Sequence, residues 1–208
     1  MSGKSNYIFC LMGKSATGKD TIYRKLRERL TLPGAPDLME VVPYTTRPIR
    51  VGEENGREYY YESEEQFAAA KEAGRIIEDR AYNTVRGIWR YYTKDDGQID
   101  LNAHHYLIIA TLESYTSYRK YFGEKSLVPF YLEVEERERL RRAIHREDKE
   151  ASPHYSEICR RFLADEEDFS EEKLAAAGIT RRYVNSDSEA CTEMIYKEIC
   201  RNIVSTTS

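Results

Sequence analysis

The chain is poor in cysteine: four stand in 208 residues, at Cys10, Cys159, Cys191 and Cys200, with no Cys-x-x-Cys among them. That spacing argues against a disulfide scaffold and against a paired-cysteine metal or redox motif, and predicts reduced thiols in a cytoplasmic protein. The four histidines show no metal-ligand spacing, and His104-His105 precedes a strand pattern. No apolar run is long enough to span a bilayer. The polar start Met1-Ser2-Gly3-Lys4-Ser5-Asn6 lacks the apolar core of a secretory signal. Charge of one sign is also missing: 32 basic residues face 36 acidic ones, a net charge of −4. Without a global basic field, nucleic acid and membrane surfaces are poor candidates for partners, and any phosphate-binding groups must be local. There is no internal repeat and no low-complexity stretch. The length suits one domain, or one core with insertions, that needs no covalent staples.

What is present begins at Gly13-Lys14-Ser15-Ala16-Thr17-Gly18-Lys19-Asp20-Thr21. An apolar strand pattern, Tyr7–Met12, leads in, and an amphipathic helix pattern from Asp20 to Leu30 leads out. Glycines let backbone N–H groups turn inward on an anion. The helix start adds unpaired donors and partial positive charge. Gly13, Ser15, Ala16, Thr17, Gly18 and Thr21 therefore form a candidate phosphate cradle, and Lys19 is placed to reach nucleotide β- and γ-phosphates. The position after the lysine usually carries a hydroxyl for Mg²⁺. Here Asp20 stands there, as a hard-cation ligand or as a helix cap.

Strand patterns recur at Leu38–Tyr44, Tyr106–Thr111, Val128–Val134 and Arg182–Asn185. Helix patterns separate them at Thr21–Leu30, Ser114–Tyr121, Glu136–Lys149, Tyr155–Asp168 and Ser188–Ile203. Such alternation predicts an α/β fold with a parallel sheet covered on both faces and a ligand at the carboxyl ends of its strands. Residues 46 to about 100 break the alternation. One helix pattern, Ser63–Ala73, sits among short tyrosine-rich extended pieces, Glu58–Glu62, Ile76–Ala81 and Trp89–Thr93, bounded by glycines. This stretch reads as a small strand-rich insertion.

The insertion opens with Thr45-Thr46-Arg47-Pro48-Ile49-Arg50-Val51-Gly52-Glu53-Glu54-Asn55-Gly56-Arg57-Glu58-Tyr59. Arginine forks fit phosphate oxygens, and a tyrosine hydroxyl adds a neutral donor. With the glycine loop upstream, the chain resembles the guanylate kinases, P-loop kinases of nucleoside monophosphates whose pattern is TTRxPRxGExxGxxY. Gln66-Phe67 and Gly74-Arg75-Ile76-Ile77-Glu78 continue the likeness, which runs from about Tyr7 to Asn185. The resemblance implies a three-layer P-loop core (6–45, 101–135, 180–204), a monophosphate-binding lobe (46–100) and a helical lid (136–179). It implies ATP as co-substrate, Mg²⁺, and GMP or dGMP as acceptor, in a monomer or homodimer. Arg47, Arg50 and Tyr59 would hold the acceptor phosphate, and Glu78 would accept from guanine N1–H and the 2-amino group. Arg142 and Arg146, with Arg161, would close over the transferring phosphoryl group, and Asn185 would lie near the adenine.

Three positions depart from that family. Pro43 replaces a small polar residue. The Tyr-x-Gly-Ser/Thr expected after Glu78 reads Thr84-Val85-Arg86-Gly87-Ile88-Trp89, where Arg86 offers a charged phosphate contact. The paired acids after the third core strand read Thr111-Leu112-Glu113, leaving Glu113 as the second acid. These changes keep a second acceptor open, a sugar bisphosphate, because ribose 1,5-bisphosphate kinases resemble guanylate kinases and often carry Gly-Lys-Asp. Guanylate-kinase-like binding modules are a third possibility, but they tend to lose the loop lysine that this chain keeps.

Overall fold

A computed structural model describes residues 6–84 and 87–205. In chain order the elements are β1 (Ile8–Gly13), α1 (Lys19–Leu30), β2 (Leu38–Met39), β3 (Tyr44–Thr45), β4 (Tyr60–Tyr61) and α2 (Glu64–Glu72). Then come β5 (Ile76–Thr84), β6 (Gly87–Lys94), β7 (His105–Ile109), α3 (Leu112–Phe122) and β8 (Leu127–Glu133). The chain ends with α4 (Glu136–Glu147), α5 (Tyr155–Asp168), α6 (Glu171–Ala176), β9 (Arg182–Val184) and α7 (Ser188–Ser205).

β1 is buried at every position and pairs in parallel with β7 on one side and β8 on the other. The full order is β2-β7-β1-β8-β9, all parallel. Successive side chains alternate between faces. Phe9 and Leu11 meet Ile22 and Leu26 of α1 and Ile195 and Ile199 of α7. Ile8, Cys10 and Met12 meet Tyr115 and Tyr118 of α3 and Leu174 of α6. A strand buried on both faces has no polar side to show, which is why β1 reads as an unbroken apolar run. Leu26 is fully buried in this packing. Leu26→Ala should cost about 2–5 kcal/mol in a denaturant melt.

The expected strand Leu38–Tyr44 is two short strands in two sheets. β2 joins the edge of the parallel sheet, and β3 joins a second sheet of order β4-β3-β6-β5. Pro43 lies between them and has no N–H to donate to a ladder, so the chain crosses from one sheet to the other there. α6 was not expected from the sequence. Its cap is local, Ser170 accepting from the Lys173 N–H, and Leu174 is its buried anchor.

In the second sheet β6 runs antiparallel to both β3 and β5. Tyr44, Tyr92 and Phe67 of α2 form its small core. A bulge between Ile76 and Glu78 sends Ile77 into the core beside α3 and sets Glu78 opposite Thr93. All four thiols are free. Among the described residues, no helix is long and apolar enough to cross a membrane.

Candidate nucleotide-binding site

The glycine loop leaves the carboxyl end of β1, the central strand. Gly13 and Gly18 have φ of 151° and 89°. A Cβ on Gly13 would lie 2.6 Å from the Leu132 carbonyl, and one on Gly18 would lie 2.6 Å from the Asn185 amide nitrogen. Both positions therefore exclude a side chain on space as well as on torsion. The Asn185 amide donates to the Thr17 carbonyl at 2.7 Å, tying β9 to the loop. Lys19 folds back, its Nζ donating to the Gly13 carbonyl at 2.7 Å and the Lys14 carbonyl at 3.0 Å. Burial pushes its ammonium pKa down, against the opposing pull of Asp165 and Asp20. Asp20 is exposed in the first turn of α1, and its carboxylate has no hydrogen-bond partner among the described residues. The N-cap is Gly18, so Asp20 does not cap the helix.

Beside the loop lies a cleft of about 540 Å³, lined by Lys19, Asp20, Thr21, Arg142, Arg146 and Asn185, among others. Arg142 reaches the Asn185 carbonyl at 3.2 Å and Glu138 at 3.0 Å. Arg146 is exposed at the cleft. Arg161 is not gathered there: it is exposed on α5 and bound to Glu157 at 2.8 Å. The same helix instead sends acids into the loop. Asp165 accepts from the Ser15 N–H at 2.7 Å, and Glu166 pairs with Lys14 and, at 2.5 Å, with Arg139. Arg139 is buried over the Phe162 ring, and its Nη1 has no hydrogen bond among the described residues.

The second constellation lies on the four-stranded sheet. Arg47 is held bidentate by Glu53 at 2.7 and 2.6 Å, over the Tyr59 and Tyr61 rings. Glu53 also accepts from the Tyr61 hydroxyl and the Arg50 N–H, both at 2.8 Å. Arg47 above all holds the Glu53 carboxyl down at about 2. The contribution of this depressed carboxylate is complete above the ordinary value of about 4.3 and is lost as pH falls toward about 2. Arg50 extends into solvent.

Glu78 is buried and accepts from Thr93 Oγ1 at 3.2 Å, Ser114 Oγ at 2.9 Å and Arg80 Nε at 3.2 Å. Glu113 does not take part: it is exposed, and its neighbour Ser114, on the buried side of α3, reaches Glu78 instead. Arg86 lies outside the described residues. A hydroxyl and tyrosines do stand beside Glu78 and Arg80, from Tyr91-Tyr92-Thr93 on β6. β5 and β6 are long, so counting forward from Glu78 reaches the end of β5 and the start of β6, whereas the antiparallel register returns Thr93 to Glu78 and Tyr91 to Arg80. Tyr91 also meets the Tyr59 ring at 5.5 Å. Strand alternation in Trp89–Thr93 was the available signal. Arg139 shares the i, i+3, i+7 spacing of Arg142 and Arg146, which marks a common helix face, whereas nothing local in sequence pointed to Ser114 or Asp165.

The guanylate kinase family pattern matches residues 5–116, more than half of the chain. A guanylate kinase of Porphyromonas gingivalis is 28% identical over 206 residues, spanning 94% of this chain and 97% of that one. One from Nocardia farcinica is 44% identical over 71 residues, 34% of each chain. Among solved structures, the guanylate kinase of Anaplasma phagocytophilum superposes with a TM-score of 0.63 at 18% identity, covering 95% of this chain and 86% of that one, a likeness of fold. With its glycine loop, its Arg47–Tyr59 segment and this match, the chain belongs to the guanylate kinase family.

Proposed function

We propose that this protein transfers a phosphoryl group from ATP to GMP or dGMP, giving the diphosphate and ADP. The observation that carries the reading is Glu78, a buried carboxylate on β5 of the small sheet, whose strands β3 and β4 lie next to Arg47 and Tyr59 in the chain. A carboxylate matches the adjacent N1–H and 2-amino donors of guanine, and adenine offers no such pair. Residues 46–100 act as the acceptor lobe and 136–179 as the lid over the core.

In this reading the loop N–H groups and Lys19 bind the β- and γ-phosphates, and Arg142 and Arg146 stabilise charge on the group in transfer. Arg47, Arg50, Tyr59 and Arg86 hold the acceptor phosphate in line. Arg161 has to leave Glu157 to join them, which a lid movement would supply. Asp20 suits Mg²⁺, which takes one or two protein carboxylates and completes its shell with phosphate oxygens and water. Mg²⁺ held there would neutralise phosphate charge. Asp20→Ala should then raise the Mg²⁺ concentration for half-maximal rate; an unchanged requirement would remove the metal role. We place the enzyme in the cytoplasm, as a monomer or homodimer; four free thiols suit a reducing compartment.

Asp165 holds the Ser15 N–H that a phosphate would take. Asp165→Ala should therefore tighten ATP binding by about 3- to 10-fold in calorimetry, the worth of one competing hydrogen bond. Weaker binding would mean that Asp165 supports the loop.

Asp20 after the loop lysine is the observation that favours a second acceptor, a ribose bisphosphate. An ADP-release assay with ATP, Mg²⁺ and GMP, dGMP, AMP or ribose 1,5-bisphosphate decides between them. Turnover with the guanine nucleotides alone is expected. Turnover with the sugar bisphosphate alone would overturn the reading.

A further inference from the structure

We infer that Arg80 is a specificity-determining residue of the acceptor site, donating to the 6-oxo group of the purine while Glu78 takes the N1–H and 2-amino group. The inference rests on the guanine reading of Glu78. It begins with an accounting of donors. Thr93 spends its hydroxyl hydrogen on Glu78 Oε1, so the Tyr118 hydroxyl at 2.6 Å has to donate to Thr93. Ser114 spends its hydrogen on Glu78 Oε2, so Thr111 at 3.0 Å has to donate to Ser114. Pro43 has no N–H, and its side chain has no donor. The four hydroxyls around Glu78 are thus committed to the carboxylate and to one another, and none is left for a base oxygen.

Arg80 is different. Only its Nε is engaged, at 3.2 Å from Glu78 Oε2, and its two Nη groups have no hydrogen-bond partner among the described residues although the side chain is 22% exposed. Its position suits the task. Glu78 and Arg80 are two apart on β5 and share one face, and across the ladder Thr93 stands opposite Glu78 and Tyr91 opposite Arg80. Tyr91 in turn touches Tyr59 at the phosphate end. Arg80 therefore lies between the carboxylate and the phosphate-binding tyrosine.

A guanine edge presents two donors and then an acceptor. Glu78 followed by Arg80 presents the complement. Oε2 already accepts from Ser114 and Arg80, so the incoming N–H takes the Arg80 place on Oε2, and the guanidinium passes to O6. Adenine reverses the polarity at both points, so the same pair rejects AMP.

The test compares kcat/KM of the wild type, R80A and R80K for GMP and for 6-thioguanosine 5′-monophosphate, which keeps the N1–H and the 2-amino group and replaces O6 with a weakly accepting sulfur. R80A should lose about 10- to 100-fold on GMP and change little on the analogue, with R80K intermediate. ATP affinity by calorimetry should be unchanged in both variants, which reports a folded core. Equal losses on both acceptors would mean that Arg80 only holds Glu78, and no loss on either would mean that it faces nothing; both overturn the inference. A wild type that ignores GMP but phosphorylates ribose 1,5-bisphosphate would instead sink the guanine reading, and this inference with it.

Discussion

Lys19→Met is expected to lower kcat/KM for ATP by about 100- to 1,000-fold, the usual loss when one preorganised donor to developing phosphate charge is removed. Methionine keeps an unbranched stem and removes only the charge and the donors. Two effects should separate in the data. The Gly13 and Lys14 carbonyls that Lys19 now satisfies would be left without it, at about 1–3 kcal/mol of stability. In a chain of this size each kcal/mol is about 2–4 °C in Tm, so a modest fall in melting temperature accompanies a large fall in rate. Burial already works against the ammonium, and Asp165 and Asp20 oppose it. A bound phosphate adds stronger compensation of the same kind, which is why the lysine side chain should turn from the carbonyls to the nucleotide. A variant that keeps near-normal turnover would place the transferring phosphates elsewhere.

Glu78→Gln should reduce kcat/KM for GMP by about 100- to 1,000-fold while leaving ATP affinity unchanged, because a site built to accept from substrate N–H groups loses most when an acceptor becomes a donor. The amide nitrogen must face either Thr93 or the Ser114–Arg80 pair, all of which now donate to the carboxylate. The hydroxyls can rotate to accept, but Arg80 cannot, so the stability cost is about 1–3 kcal/mol. IMP, which lacks the 2-amino group, should suffer a smaller loss than GMP. Equal losses for GMP, IMP and ATP binding would show a general unfolding of the lobe and remove the base-reading role. Together the two variants separate the donor site from the acceptor site.

Much of this protein was legible in the residue order. The glycine loop between an apolar strand and an amphipathic helix announced β1 and α1, because strand burial on both faces and helix periodicity are local patterns. The alternation of strands and helices implied a parallel sheet, and β7, β8 and β9 lie where it placed them to within a few residues. The Arg47–Tyr59 segment and Glu78 were legible because they are contiguous motifs.

Other features required the folded chain. Whether Leu38–Tyr44 is one strand or two depends on which sheet each end can pair with. Thr93 and Tyr91 were hidden by hairpin length, since register is a property of two strands and a bulge, not of either sequence alone. Ser114, rather than Glu113, reaches Glu78 because α3 turns that face toward the second sheet. Arg161, expected at the phosphates, sits on Glu157, one helical turn away, where a local ion pair satisfies it. Asp165 and Arg139 come from separate helices and meet at the loop only in three dimensions. The sequence alone thus determined the chemistry available and the elements that carry it, because periodicity, glycine torsion and motif spacing act within a few residues. Which donors and acceptors meet was decided by tertiary structure, because a hydrogen bond between residues 36 or 150 positions apart depends on packing that no local pattern encodes.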